Sequence, residues 1–296
     1  MITVPTAFAA AAITRNGLAG RQWVAKLPAV VEALCTQWQV CIDGDVMHGY
    51  LSLAIPVRRS GEVCVLKIAW QDASTRDEAA ALAAWGGRGA VRLLAVEPSV
   101  GAMLLERLDA TRSLADVAIA EAVVTAGRLL RQLAIPAPMG FRTLASVAEE
   151  LDQHLPTRWA QAGRPMSQRL LDQACELARQ MDASTDTLLV NYDLHYADVL
   201  ASRRAAWLVI DPKVVAGDPA FGIAQLLWCR LEEIQTQGGL DYHFDLLLEA
   251  AAVDAARARA WTLVRCVDYW LWGTSVGLTD DPARCKIITD WLAPTL

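Results

Sequence analysis

The sequence predicts an α+β protein of two lobes, a five-stranded sheet in the N-terminal lobe and a mainly helical C-terminal lobe. Three observations carry this. Strand-length apolar runs crowd together before Leu108, segments of helical periodicity fill the chain after it, and neither an internal repeat nor a long linker intervenes. The abrupt change near residue 108 sets the lobes at 1–108 and 109–296. A short hinge and a cleft between the lobes are expected there, and ligands commonly occupy such clefts.

The elements follow in order. AGRQWVAKLPAVVEALCTQW has apolar positions at helical spacing despite Pro28. WQVCI, YLSLAIPV and EVCVLKIAW read as three strands, with HGY and RRSG as turns. STRDEAAALAAWGG switches to helical composition, Ser74 or Thr75 serving as cap and Gly86–Gly87 as stop. AVRLLAVE and GAMLLERL supply the fourth and fifth strands. SLADVAIAEAVVTAGRLLRQL then begins the helical lobe and IPAPMG breaks it. Further helices are expected at 143–154, 167–181, 219–235, 242–260, 261–272 and 280–292, with loops at 183–187 and 236–240.

Composition bounds the function. Of 296 residues, 54% are hydrophobic and 20% charged, which describes a globular chain rather than a disordered one. A net charge of −6 argues against nucleic-acid binding and suits a cationic partner. Seven cysteines at 35, 41, 64, 175, 229, 266 and 285 form no CxxC pair, and their odd number excludes complete internal pairing. The apolar start MITVPTAFAAAAI lacks a basic leading region, and no uninterrupted apolar stretch spans a bilayer. The cytoplasm is the expected location.

The chemistry lies in spacings across both lobes. Lys67 ends the apolar run VCVLK, and Glu78 opens the next helix. In the second lobe NYDLHYADVL, residues 191–200, places Asp193, His195 and Asp198 between two apolar runs, and Asp211 closes WLVID. Each residue has an ordinary explanation alone: a turn for Asp193, a helix-dipole partner for Glu78, an edge lysine for Lys67. Together, a strand lysine, a helix glutamate, a loop like D-L-x-x-x-N with Asp198 in the last place, and a later aspartate resemble the kinase signature set.

DEAAALAAWGGRGAVRLL, GAMLLERL, NYDLHYADVL and WLVIDPKVVAGDPAFG together resemble the aminoglycoside phosphotransferase family, over roughly residues 40–230. The similarity is greatest to its streptomycin and hydroxyurea phosphotransferase branch, which also holds enzymes acting on tuberactinomycin peptides such as viomycin and capreomycin. The resemblance implies a bilobal protein-kinase-like fold, ATP and Mg2+ as cofactors, and phosphorylation of a hydroxyl on a cationic small-molecule or cyclic-peptide antibiotic. It implies that Asp193 is the catalytic base, that Asp198 and Asp211 hold magnesium, and that Lys67, oriented by Glu78, meets the phosphates. Gly49 lies where such folds place a phosphate-covering hairpin, and the resemblance implies that the backbone of the hinge, Leu105-Glu106-Arg107-Leu108, faces adenine. The usual loop is HGDLHxxNxL, so Asn191, Tyr192 and Asp198 depart from it.

His195 reads as support for the loop rather than as the base. Lys213 fits a phosphate contact or a solvated or loop-stabilising lysine equally, and Asp218 a cap or a supporting hydrogen bond. Tyr196, Glu232, Glu233 and Asp268 are the substrate-contact candidates, with Asp241, Asp245, Trp270 and Trp272 behind them; surface charge or core packing explains each of them too. The NYDLHY loop is most similar to the tuberactinomycin subgroup, making such a peptide the first acceptor and streptomycin the second. A related small-molecule kinase and an inactive kinase-like binding protein are the remaining readings.

Overall fold

In a computed structural model, which describes residues 2–181 and 187–295, the chain divides into two units, Met1–Leu108 and Asp109–Leu296. The first opens with α1 (Thr6–Gln37), which starts well before the expected helix because the alanine-rich run Ala9–Ala12 is helical too. Gly17 breaks it, at φ 55° and ψ −130°. Strands β1 (Cys41–Ile42), β2 (Met47–His48), β3 (Ser52–Arg59), β4 (Glu62–Ala69), β5 (Leu93–Glu97) and β6 (Ala102–Glu106) form one antiparallel sheet in the order β1-β3-β4-β6-β5, with β2 also on β3. The sheet has six strands rather than five because HGY is a turn inside a hairpin whose first arm, β2, is only two residues long.

Ser60 and Gly61, at φ 50° and 88°, close the β3–β4 hairpin as a two-residue turn of the hand that matches strand twist. The two-residue period of the strands puts Leu53, Ile55, Val57, Cys64, Leu66 and Ile68 into one core with Leu27, Val31 and Leu34 of α1. Lys67 therefore points to the other face. Helix α2 (Glu78–Trp85) ends at Gly86 in the left-handed conformation. It starts later than the cap reading placed it, because Thr75 Oγ1 donates to the Trp70 carbonyl at 2.6 Å and Ser74 is held by Asp72.

The second unit contains β7 (Asp109–Ser113), α3 (Ile119–Leu133), α4 (Leu144–Gln161), α5 (Gln168–Met181), β8 (Leu188–Asn191), β9 (Val199–Ala201), β10 (Trp207–Val209) and β11 (Val214–Gly217). Helices α6 (Ala224–Trp228), α7 (Leu231–Thr236), α8 (Gly239–Ala251), α9 (Ala255–Ser275) and α10 (Asp280–Leu292) complete it. The single helix expected at 219–235 is three pieces, a 3-10 turn followed by α6 and α7. The break expected near 260 falls instead at 252–254, where Ala252 adopts φ 54° and Asp254 caps α9 by accepting from Arg257 N at 2.9 Å. Of the loop expected at 183–187, all but Thr187 lies outside the described residues. Among the described residues no helix is long and apolar enough to cross a membrane.

Candidate active site

In the first unit Lys67 and Glu78 meet. Both Glu78 carboxylate oxygens accept from Lys67 Nζ, at 2.6 and 2.7 Å. Their side chains are 6% and 2% exposed. Two charges so deeply buried persist only when paired and hydrogen-bonded, so α2 holds the lysine at one position above the sheet. Gly49 lies in the β2–β3 turn and donates its N–H to Ser52 O at 2.9 Å. A Cβ there would meet only Ser52 Oγ, at 3.6 Å, so the hairpin itself does not demand glycine. Glu106 is tied to the chain opposite: its N–H donates to Arg92 O at 3.1 Å and its carboxylate accepts from Arg92 N at 2.8 Å. That N–H is therefore engaged within the first unit, and the expected contact with adenine rests on the other backbone groups of the hinge. Leu108 ends this unit.

In the second unit two nested ladders build the loop. The outer pair, β8 and β11, aligns Asn191 with Val214, and Tyr192 N donates to Lys213 O at 3.0 Å. The inner hairpin, β9 and β10, aligns Val199 with Val209, and Ile210 N donates to Asp198 O at 2.8 Å. The short segments 193–198 and 210–213 are thus clamped between the same two ladders. Asp193 faces Lys213, whose Nζ donates to Asp193 Oδ2. Asp198 sits one residue from Asp211 in register. Asn191 holds the loop entrance, its Oδ1 accepting from Asp193 N at 3.2 Å, a turn that asparagine makes readily.

The electrostatics follow from crowding. Burial pushes the Asp198 carboxyl above the ordinary range; His195 opposes this, and Asp211 and Asp193 add to it. His195 Nε2 is 2.8 Å from Asp198 Oδ2. Burial alone would lower the His195 imidazolium, but Asp198 and the charges of Asp193 and Asp211 raise it above its usual value. Lys213 behaves alike: burial opposes its charge, and Asp193 more than compensates. Asp211 has φ 50°, a left-handed conformation uncommon for a residue other than glycine and frequent at functional sites.

No group of three or more His, Cys, Asp or Glu side chains arranged to hold a metal occurs among the described residues. A magnesium ion bound with a nucleotide needs only one or two carboxylates, the phosphates and water completing its octahedron. The Asp198 and Asp211 pair fits that requirement.

Asp218, read from sequence as a cap or a supporting hydrogen bond, and two residues the spacings did not point to, Arg265 and Gly222, complete the surroundings of the loop. Arg265 on α9 donates through Nη1 to the carbonyls of Tyr192 and Phe221, and it lies over both rings. Burial lowers its guanidinium below the usual value. The one signal available in sequence was that Arg265 and Asp268 are the only charges in the apolar stretch 260–273. Asp218 is a buried hub: it accepts from Ala220 N at 2.9 Å, Arg257 Nε at 2.6 Å and Trp261 Nε1 at 3.1 Å. Gly222 packs against the loop, where a Cβ would come within 2.8 Å of the Asn191 carbonyl oxygen. Gly222→Ala is therefore expected to destabilise the protein by about 1–3 kcal/mol, read as a lower unfolding midpoint, whereas an unchanged midpoint would mean the loop has room to move.

The substrate-contact candidates separate. Tyr196 is 1% exposed and donates its hydroxyl to Leu226 O at 2.9 Å; it is a packing residue, and the substrate expectation is corrected. Glu232 and Glu233 are bonded to Arg284 and Arg230 on a solvent-facing turn, and Trp270 lies in the core. Asp268 does line a cavity of about 230 Å3 beside Tyr192, with Arg142, Glu150, Arg158 and Arg265. Burial raises the Asp268 carboxyl, with Arg158 and Arg265 pulling the other way. Arg158 meets Asp268 and Arg142 meets Glu150, each at 2.5 Å.

Comparison with known proteins adds a second line. A model of the family described as aminoglycoside/hydroxyurea antibiotic resistance kinase matches residues 37–277. The chain is 37% identical to a streptomycin 6-kinase of Streptomyces glaucescens over 295 residues, covering 97% of this chain and 96% of that protein. It is 36% identical to a hydroxyurea phosphotransferase of Kitasatospora aureofaciens over 289 residues, covering 96% and 84%. Among solved structures, a thermostable mutant of the aminoglycoside phosphotransferase APH(4)-Ia, in ternary complex with ADP and hygromycin B, superposes with a TM-score of 0.61 at 18% identity, covering 88% and 98%. That last likeness establishes the protein-kinase-like fold.

Proposed function

The chain belongs to the aminoglycoside/hydroxyurea antibiotic resistance kinase family and is an ATP-dependent antibiotic phosphotransferase, and we propose that its acceptor is a hydroxyl of streptomycin or a closely similar cationic aminoglycoside. The observation that carries the proposal is the clamped loop, which holds Asp193 beside Lys213 and brings Asp198 to Asp211. The acceptor follows from the extent of likeness to proteins named streptomycin 6-kinase, 37% identity along almost the whole chain. The net charge of −6 suits a cationic acceptor.

Asp193 orients the acceptor hydroxyl and takes its proton as the new bond to phosphorus forms. Lys213 holds one carboxylate oxygen of Asp193 and leaves the other oxygen for the hydroxyl. Asp198 and Asp211 would hold magnesium, which neutralises charge on the phosphate oxygens. Lys67, fixed by Glu78, meets the phosphates as a point charge. Gly49 allows the hairpin backbone to approach them. Phosphoryl transfer asks the protein mainly for alignment and charge placement, and this loop supplies both.

A tuberactinomycin peptide such as viomycin or capreomycin is the second reading, favoured by the NYDLHY loop. Purified protein with magnesium and ATP, incubated separately with streptomycin, viomycin, capreomycin and hydroxyurea, separates the acceptors. ADP release and acceptor mass are expected to change with streptomycin. A gain confined to the cyclic peptides would move the assignment to the second reading; nucleotide binding without transfer to any acceptor would leave an inactive binding protein.

A further inference from the structure

The family match begins at residue 37, so almost all of α1 precedes it. This helix is two pieces folded on one another: a Cβ at Gly20 would lie 2.3 Å from the Ala12 carbonyl oxygen, a contact that a straight helix could not make. The fold at Gly17 brings residues 6–16 against the β2–β3 hairpin. Phe8 meets His48 with ring centroids 5.5 Å apart and Trp23 at 5.7 Å. Trp23 in turn meets Trp70 edge-on at 5.6 Å, and Trp70 N donates to Leu51 O at 2.8 Å. Arg15 lays its guanidinium on Tyr50, Cζ 4.0 Å from the ring centroid. Its Nε and Nη1 are buried and have no hydrogen-bond partner, a costly state for a guanidinium, so the ring face is the contact that holds this side chain. Tyr50 itself is 58% exposed.

The turn His48-Gly49-Tyr50-Leu51 is therefore touched by α1 on both sides of Gly49, by Phe8 at His48 and by Arg15 at Tyr50. Such a short exposed turn would otherwise pay ordering entropy whenever it closed over a ligand. We infer that Arg15, stacked on Tyr50, is a positioning residue that holds the β2–β3 turn ready over the phosphates of ATP. The inference rests on the proposed role of that hairpin as the phosphate cover. A planar guanidinium stacks on a ring face in a way that a lysine ammonium does not, so charge alone does not replace it.

The test is the affinity of the full chain for a fluorescent ATP analogue, with unfolding midpoints measured in parallel. Arg15→Ala, Arg15→Lys and Tyr50→Ala are each expected to weaken nucleotide binding about five-fold. The double variant Arg15→Ala/Tyr50→Ala should be no weaker than either single, and Tyr50→Phe should retain affinity. In turnover, KM for ATP rises while kcat at saturating ATP is kept. A lower unfolding midpoint with unchanged nucleotide affinity overturns the inference and reduces the stack to packing. Tyr50→Ala removes the same stack at an exposed ring, so the question is answered even if Arg15→Ala does not fold. Lys67→Met separates the two levels. If it weakens nucleotide binding and the Arg15 and Tyr50 variants do not, only the Arg15 inference falls; if none does, the ATP site itself is misplaced.

Discussion

Asp193→Asn is expected to lower kcat by about a thousandfold, within the range that general-base catalysis supplies, while nucleotide affinity stays within about twofold of the parent. The reason is geometric. Asparagine is nearly the same size and its Oδ1 can still accept from Lys213, and the entrance bond from Asp193 N to Asn191 Oδ1 belongs to the backbone and survives. What is lost is the carboxylate proposed to accept the hydroxyl proton. Steady-state kinetics with the accepted antibiotic, beside nucleotide titration, reads both quantities. A variant that turned over at the parental rate would remove Asp193 from the chemistry and leave it as the partner of Lys213.

The second large effect is on stability. Asp218→Ala is expected to destabilise the second unit by about 3–5 kcal/mol, as removal of one partner from a buried ion pair does. Asp218 has a side chain only 4% exposed and satisfies three donors at once, from Ala220, Arg257 and Trp261. Alanine strands all three. Asp218→Asn keeps one acceptor oxygen and should fall between the two. Urea unfolding followed by tryptophan fluorescence measures it, since Trp261 lies in the network itself. A loss below about 1 kcal/mol would mean that water replaces the carboxylate without strain, the ordinary result for an exposed pair.

The parts readable in sequence were those that local rules dictate. A strand alternates faces, so Lys67 between Leu66 and Ile68 had to leave the core side of β4. A glutamate in the first turn of the next helix was then the natural partner, and the two side chains do meet. Helix α10 was bounded correctly because acidic residues open it and apolar spacing carries it to Leu292. The unreadable parts were set by tertiary contact. Alanine at 252 does not announce a left-handed residue, so the α8–α9 break was misplaced by eight residues or so. Tyr196 looked like a ligand contact in a polar loop, yet its ring fills the core. The left-handed backbone of Asp211 leaves no local trace, and a charge in an apolar stretch marks Arg265 without naming its partner, the Tyr192 carbonyl. The first depends on the facing segment that ends at Asp198, and the second joins residues 73 apart in sequence.

The most direct measurement is the mass of streptomycin after incubation with magnesium, ATP and the protein, parent and Asp193→Asn side by side. The parent should add one phosphoryl group, with one ADP released for each, and the variant should add it at a small fraction of the rate. Streptomycin recovered unmodified with the parent, while ATP is bound and the chain is folded, would contradict the assignment.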